Sequence, residues 1–228
     1  MAPLTSYASL TEIKAAIDRT GSGDDTRLTA LLKTASRAVD GFCNRPDGFR
    51  ATSDLQVRRY PGSGGTVQWI DECVAISLVE VKEGASDDDY TAWGSGDWLA
   101  GRGDPLTRPD FNTTPYEWLM VDPTGDEDHF TSGQYSGRRG FQPSTNGGRT
   151  RSVPTVRVTA RWGYADANLG PIKEATIIIA ARMYKRGQSA YADTLASGEM
   201  GQLMYRKVID PDVAMLLKEG HFIRPSVG

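Results

Sequence analysis

The sequence predicts an α+β fold: a small helical bundle, made of an N-terminal helical hairpin and C-terminal helices, with a strand-rich, loop-rich middle inserted between them. Three observations predict it. Apolar residues recur at steps of three and four from Leu10 to Phe42. They alternate in 55–60, 66–70, 76–81 and 153–163, as half-buried strands require. Helix signals then return at 171–186 and 210–220. The expected division is a helical core from 1–49 and 166–228, with 50–165 as the insertion.

The first helix starts at "SLTE" (9–12), a capping box in which the Ser9 hydroxyl accepts the Glu12 N–H and the Glu12 carboxylate reaches back. "TGSGDD" (20–25) ends it, and Asp24 or Asp25 caps the next. That second helix carries one stripe, Leu28, Leu31, Leu32, Ala35, Val39 and Phe42. Thr29, Lys33, Ser36, Arg37 and Asp40 take the other faces. Cys43 is a small neighbour of the stripe. Asn44 suits a left-handed residue after a helix, and Pro46 prevents continuation.

In the middle, "LQVRRY" (55–60), "TVQWI" (66–70) and "ISLVEV" (76–81) read as separate short strands, with "PGSGG" (61–65) a hairpin turn between the first two. "EWLMV" (117–121) is a weaker strand. In "VPTVRVTARWG" (153–163), Val156, Val158, Ala160 and Trp162 face the core, with Arg157, Thr159 and Arg161 opposite. Segments 84–116 and 122–152 are rich in Gly, Asp, Ser, Thr and Pro and read as long loops. Pro171 then opens a helix whose run Ile177–Ala181 is apolar on all sides. That pattern asks for burial from two directions, by its own hairpin and by a neighbouring subunit. Residues 187–201 read as a mobile link. Asp210 and Pro211 open a short last helix, and "HFIRPSVG" (221–228) reads as an exposed tail.

Composition excludes several classes. The net charge of −3 gives no global basic field for nucleic acid. Two cysteines, Cys43 and Cys73, make neither a disulfide framework nor a zinc site and read as reduced and buried. No apolar run is long enough to span a membrane, and no signal peptide is expected. The charge is unevenly divided. Residues 71–128 hold fifteen acids against Lys82, Arg102 and Arg108. Residues 129–165 hold no acid and six arginines.

Catalytic readings find little support. A thiolate nucleophile at Cys43, with His129 or His221, needs a helix N-terminus or nearby cations, and Cys43 stands at a predicted C-terminus. "GASDDDY" (84–90) and "VDPTGDEDH" (121–129) lack calcium-loop spacing and read as solvated acidic loops. "GSGG" (62–65) opens no helix and has no Lys-Ser/Thr after it, so it is no phosphate loop. The Arg-Gly-Asp of "GRGDP" (101–105) is short enough to occur by chance in such a loop. "SGRRGFQPSTNGGRTR" (136–151) offers guanidinium groups to phosphate or carboxylate, against a plain solvated loop. No cofactor is implied.

"SLTEIKAAIDRTGSGDDTRLTALLKTASRAVDGFCNRP" resembles the opening of the head–tail connector (head-completion adaptor) proteins of tailed bacteriophages. There a short helix, an acidic turn and a long helix end in an aromatic, a small polar residue and a basic one. "VPTVRVTARWGYADANLGPIKEATIIIAARMYKR" is similar to that family's later segment: a strand ending in aromatic-Gly-Tyr, a loop, then Pro and a helix ending in Tyr and a basic residue. The two stretches cover about seventy of 228 residues, in order. Short members lack most of 50–150, so their contact assignments do not transfer there.

The resemblance implies a structural, non-enzymatic neck protein of the virion, made in the host cytoplasm. It implies a ring, typically of 12 copies, beneath the portal, which extends the DNA channel and docks the tail or a stopper protein. DNA passes through without sequence-specific binding, and no membrane is involved. The alternative is another phage structural part, such as a head-closure stopper, tail terminator or capsid decoration protein. A small hydrolase using Cys43 is the third possibility. Interface candidates are Arg138, Arg139, Arg149 and Arg151 on the arginine loop and Ile178 on the doubly buried helix. Met204, Leu216, Phe222, Ile223 and Arg224 join them from 203–228, the segment that the resemblance points toward the portal. The arginine loop faces either a neighbour's acidic part or the channel. Interface contact is preferred, because a lumen through which DNA slides should not grip it.

Overall fold

A computed structural model describes residues 6–133, 152–188, 194–195, 203–204, 210–220 and 222–223. The chain forms two compact units, 1–49 with 167–228, and 50–166. Helices and antiparallel strands are both present, so the α+β class holds.

The helical unit opens with α1 (Leu10–Ala16) and its capping box: Glu12 N–H donates to Ser9 Oγ at 3.2 Å, and Ser9 N–H donates to Glu12 Oε2 at 2.7 Å. Asp18, at φ 53°, turns the chain out of the helix. α2 (Asp25–Phe42) buries Leu28, Leu32, Ala35 and Val39, as its stripe requires. Asp24 stands at the N-cap but its side chain makes no capping bond; it accepts instead from the Tyr184 hydroxyl. Two residues expected on the outer faces of α2 are buried. Ser36 and Asp40 lie under the N-terminal segment, where Ser36 Oγ accepts the Tyr7 N–H and Asp40 Oδ1 accepts the Tyr7 hydroxyl at 2.6 Å. Asn44 is left-handed at φ 55°.

α3 (Gly170–Gln188) packs against α1, α2 and α4 (Pro211–Glu219), which explains its apolar residues on most sides. Lys173 pairs with Glu12 at 2.8 Å and Lys14 with Asp25 at 2.7 Å, tying α3 to α1 and α1 to α2. Asp210 caps α4, accepting the Asp212 N–H at 2.9 Å, and also pairs with Arg182 of α3.

The strand unit is one antiparallel sheet. Its strands are β1 (Gln56–Pro61), β2 (Val67–Val81), β3 (Thr91–Ala92), β4 (Trp98–Asp104), β5 (Arg108–Phe111), β6 (Tyr116–Val121) and β7 (Pro154–Trp162). Their order is β1-β7-β2-β6-β4-β5, and β3 pairs with the end of β2. Three expectations need correction. The strands expected at 66–70 and 76–81 are one strand of 15 residues. Its first half pairs with β6 and its second with β7, and register shifts around Cys73–Leu78 bend it. β1 and β2 are not a hairpin, because β7 lies between them. Finally, 84–116 is not all loop: β3, β4 and β5 run through it. β4 was hidden by its glycines, and the fold needs one of them. A Cβ on Gly101 would lie 2.4 Å from the Trp118 ring, whose indole N–H donates to Gly103 O at 3.0 Å.

The core of this unit holds Cys73, Val79, Val81, Leu119, Val121, Phe130 and the inner residues of β7, with Trp93 stacked on Phe130 at 4.8 Å. A second small sheet, β8 (Thr194–Leu195) with β9 (Leu203–Met204), pairs Thr194, inside the stretch read as a mobile link, with Met204 beyond it. The rest of 189–209 lies outside the described residues.

Candidate assembly surface

The arginine-loop candidates Arg138, Arg139, Arg149 and Arg151, and Arg224 in the tail, lie outside the described residues. Met204 is placed on β9 by its backbone. Ile178 is half-buried on α3, Leu216 half-buried on α4, and Ile223 half-buried just beyond it.

The reading of 221–228 as an exposed tail is corrected at Phe222. Phe222 is buried, at 7% exposure, and its ring meets Phe49 edge-on with centroids 5.7 Å apart. Its carbonyl accepts from Arg45 Nε at 2.9 Å, and the Arg45 guanidinium lies over the Phe49 ring. Phe222, in the segment read as an exposed tail, therefore closes the helical unit. An aromatic five residues after Leu217 was the available signal. Met215 is exposed on α4.

Cys43 is fully buried at the end of α2, and burial pushes its thiol up to about 11. Cys73 is buried in the sheet core and pushed up to about 12 by the same cause. Thiols held so far above neutral pH supply almost no thiolate. The acidic loops are spent on turns. Asp97 accepts from Gly94 N–H and Asp126 N–H, Asp122 accepts from Thr124, and Asp104 holds the β4–β5 turn through Leu106 and Thr107. That last contact uses the aspartate of the Arg-Gly-Asp sequence. Glu127 is pushed up by burial and by the charges of Asp97, Asp128 and Asp126. Among the described residues no three His, Cys, Asp or Glu side chains form a metal-binding group. None of the described helices is long and apolar enough to cross a membrane.

What the sequence reading missed lies on the outer face of β1–β7–β2. The pairing puts Val57, Thr159 and Leu78 in one row across the strands, and Arg59, Arg157 and Glu80 in the next. Arg157 grips Glu80 with two hydrogen bonds and lies under the Tyr90 ring, centroid 4.5 Å away. Leu55 and Val57 are 50% and 54% exposed and Leu78 is 36% exposed. Arg161, opposite Ala75, continues the face into a cleft of about 430 Å³ lined by Arg50, Val74, Ala75, Thr114, Tyr164 and Asp166 among others. Gly163, at φ 118°, lets residues 50–52 approach: a Cβ there would lie 2.6 Å from Arg50 O. The outward alternation of β7 was legible in sequence. Its neighbours on the face were not, because β1 and β2 were expected to pair with each other.

No family model matches the chain, and no curated protein matches it. Among solved structures, it is similar to a chain from the "Neck of empty GTA particle computed with C6 symmetry", with a TM-score of 0.47 at 12% identity, over 100% of this chain and 96% of that one.

Proposed function

We propose that this chain is a structural neck protein of a tailed-phage particle. In this reading it forms a ring beneath the portal, of 12 copies by the connector resemblance, extends the DNA channel and docks the tail or a stopper. One observation carries it. The two stretches that resemble connectors, 9–46 and 153–186, are separated by more than a hundred residues. Nonetheless α1, α2 and α3 pack as one helical unit, with β7 entering α3 through a short loop. A connector-like core with an elaborated sheet between its halves accounts for that arrangement. The buried, high-pKa thiols favour a non-enzymatic role, since neither offers a nucleophile.

The arginines of 136–151 serve subunit or partner contact in this reading, facing carboxylates of a neighbour. Guanidinium–carboxylate pairs are directional and strong when desolvated. Replacing Arg138, Arg139, Arg149 and Arg151 together with Ser is expected to impair ring assembly or docking, with the circular-dichroism spectrum and melting of the free chain unchanged. Normal assembly of the quadruple variant would reject this assignment.

A further inference from the structure

We propose that the outer face of β1–β7–β2, with the Arg50–Arg161 cleft at its end, is a docking surface for a second copy of this chain. Exposed carboxylates of that copy's 71–128 stretch enter the cleft, and its apolar side chains cover Leu55, Val57 and Leu78. The inference deepens the ring reading and rests on it.

The argument starts from register. Val156, Val158, Ala160 and Trp162 of β7 point into the core and are 2% exposed or less. Arg157, Thr159 and Arg161 must therefore point outward. Their cross-strand partners share that side: Glu80, Leu78 and Ala75 on β2, Arg59 and Val57 on β1. Two large apolar residues, Val57 and Leu78, thus stand on one face beside a cleft, with Leu55 exposed just before β1. Single exposed apolar residues are ordinary, but a contiguous group rimmed by charge marks an interaction site.

The cleft is built rather than incidental. A register shift in β2 at Cys73–Ala75 sets Val74 and Ala75 in its wall. On the other side, residues 50–52 run along 162–164, held by Ala51 N–H to Tyr164 O at 3.0 Å and Thr52 N–H to Trp162 O at 2.8 Å. Arg161 Nε donates to Thr52 O at 3.0 Å, which fixes the guanidinium, and Arg161 has no carboxylate partner among the described residues. Arg59 has none either. Arg50 pairs with Asp166, whose side chain is 80% exposed at the rim.

Charge selects the occupant. An anchored guanidinium binds a carboxylate in fork geometry. The fifteen acids of 71–128 are what a second copy offers: Asp87, Asp88, Asp89, Asp126 and Asp128 are exposed. A basic cleft and an acidic stretch in one chain make a contact in which each copy is both donor and acceptor.

The size of the face sets how the contact behaves. Three strands about 4.8 Å apart and three rows about 6.8 Å apart cover on the order of 200 Å². A stable pair buries roughly 800 Å² on each partner. This face therefore holds weakly in the free chain and adds to other contacts in the ring. The probe must capture weak contacts and be salt-sensitive.

The experiment places the photo-crosslinker p-benzoylphenylalanine at position 78 of the full-length chain, irradiates concentrated protein, and maps the product by mass spectrometry. The expected product joins position 78 to residues within 71–128 of a second copy. Its yield falls at least about tenfold in Arg161→Glu, where like charges meet, and also falls in high salt. No intermolecular product, a product mapping elsewhere, or a yield indifferent to Arg161→Glu overturns the inference. Neck rings built normally from Arg161→Glu protein overturn it too and leave the ring reading standing. A correct crosslink in a chain found outside the neck overturns the ring reading alone.

Discussion

Removing one oxygen from Tyr7 should unlock the helical unit. The Tyr7 hydroxyl donates to Asp40 Oδ1 at 2.6 Å and accepts the Phe49 N–H at 2.7 Å, so it joins the N-terminal segment, α2 and the chain leaving α2 at one point. All three residues are buried. Arg37 Nη2 stands 2.8 Å from Asp40 Oδ2, close enough for an ion pair but not aligned as a hydrogen bond. Burial dominates and pushes the Asp40 carboxyl up, despite the bond from Tyr7 and the charge of Arg37. Tyr7→Phe deletes both bonds and keeps the ring on Phe49. Each net bond is worth about 1 kcal/mol, and each buried group left without its partner costs about 1–3 kcal/mol. The expected loss is about 2–4 kcal/mol. For a urea slope of about 2 kcal/mol/M, that moves the midpoint by roughly 1–2 M. Far-UV circular dichroism in urea measures it, and hydrogen exchange at Phe49 locates it. Asp40→Asn keeps an acceptor for the hydroxyl and removes the buried charge, so it should cost less than Tyr7→Phe. A loss below about 0.5 kcal/mol in Tyr7→Phe, or protection at Phe49 unchanged, would refute the reasoning.

Two further outcomes follow from the same unit. Phe222→Ala should destabilise the helical unit by about 3 kcal/mol, because it empties a buried aromatic site against Phe49; a freely exposed tail would give no change in the urea midpoint. Bonds from Lys173 and Ser9 lower the Glu12 carboxyl from 4.5 to about 2. Between those values the unfolded chain binds the proton more readily than the folded one. The contribution of Glu12 is therefore complete above pH 4.5 and lost as pH falls toward 2. Glu12→Gln should flatten that part of the stability–pH curve relative to wild type, and an unchanged slope would remove Glu12 from the account.

The parts legible in sequence were those set by neighbouring residues. The Ser9–Glu12 capping box, the Leu28–Val39 stripe, the left-handed Asn44, the Asp210 cap and the inward alternation of β7 are local patterns, and each is present. What stayed hidden depended on distant chain. Ser36 and Asp40 are polar residues on a polar face, and only the return of Tyr7 over α2 buries them. Gly101 weakens a strand pattern, yet its missing side chain is the room that Trp118 occupies. β7 separates β1 from β2 although more than seventy residues intervene between β2 and β7, so a local turn suggested the wrong pairing. The candidate surface inherited that error. Arg161 was readable as outward-facing, but its companions Val57 and Leu78 became neighbours only through the true strand order.

The central claim is a place in an assembly, and a reconstruction of the particle neck tests it most directly. The account predicts a closed ring of this chain immediately beneath the portal, with its helical unit fitted as one body and the DNA channel running through the ring. Density for the chain on the capsid shell, further down the neck as a separate stopper or terminator, or as single unassociated copies would contradict it.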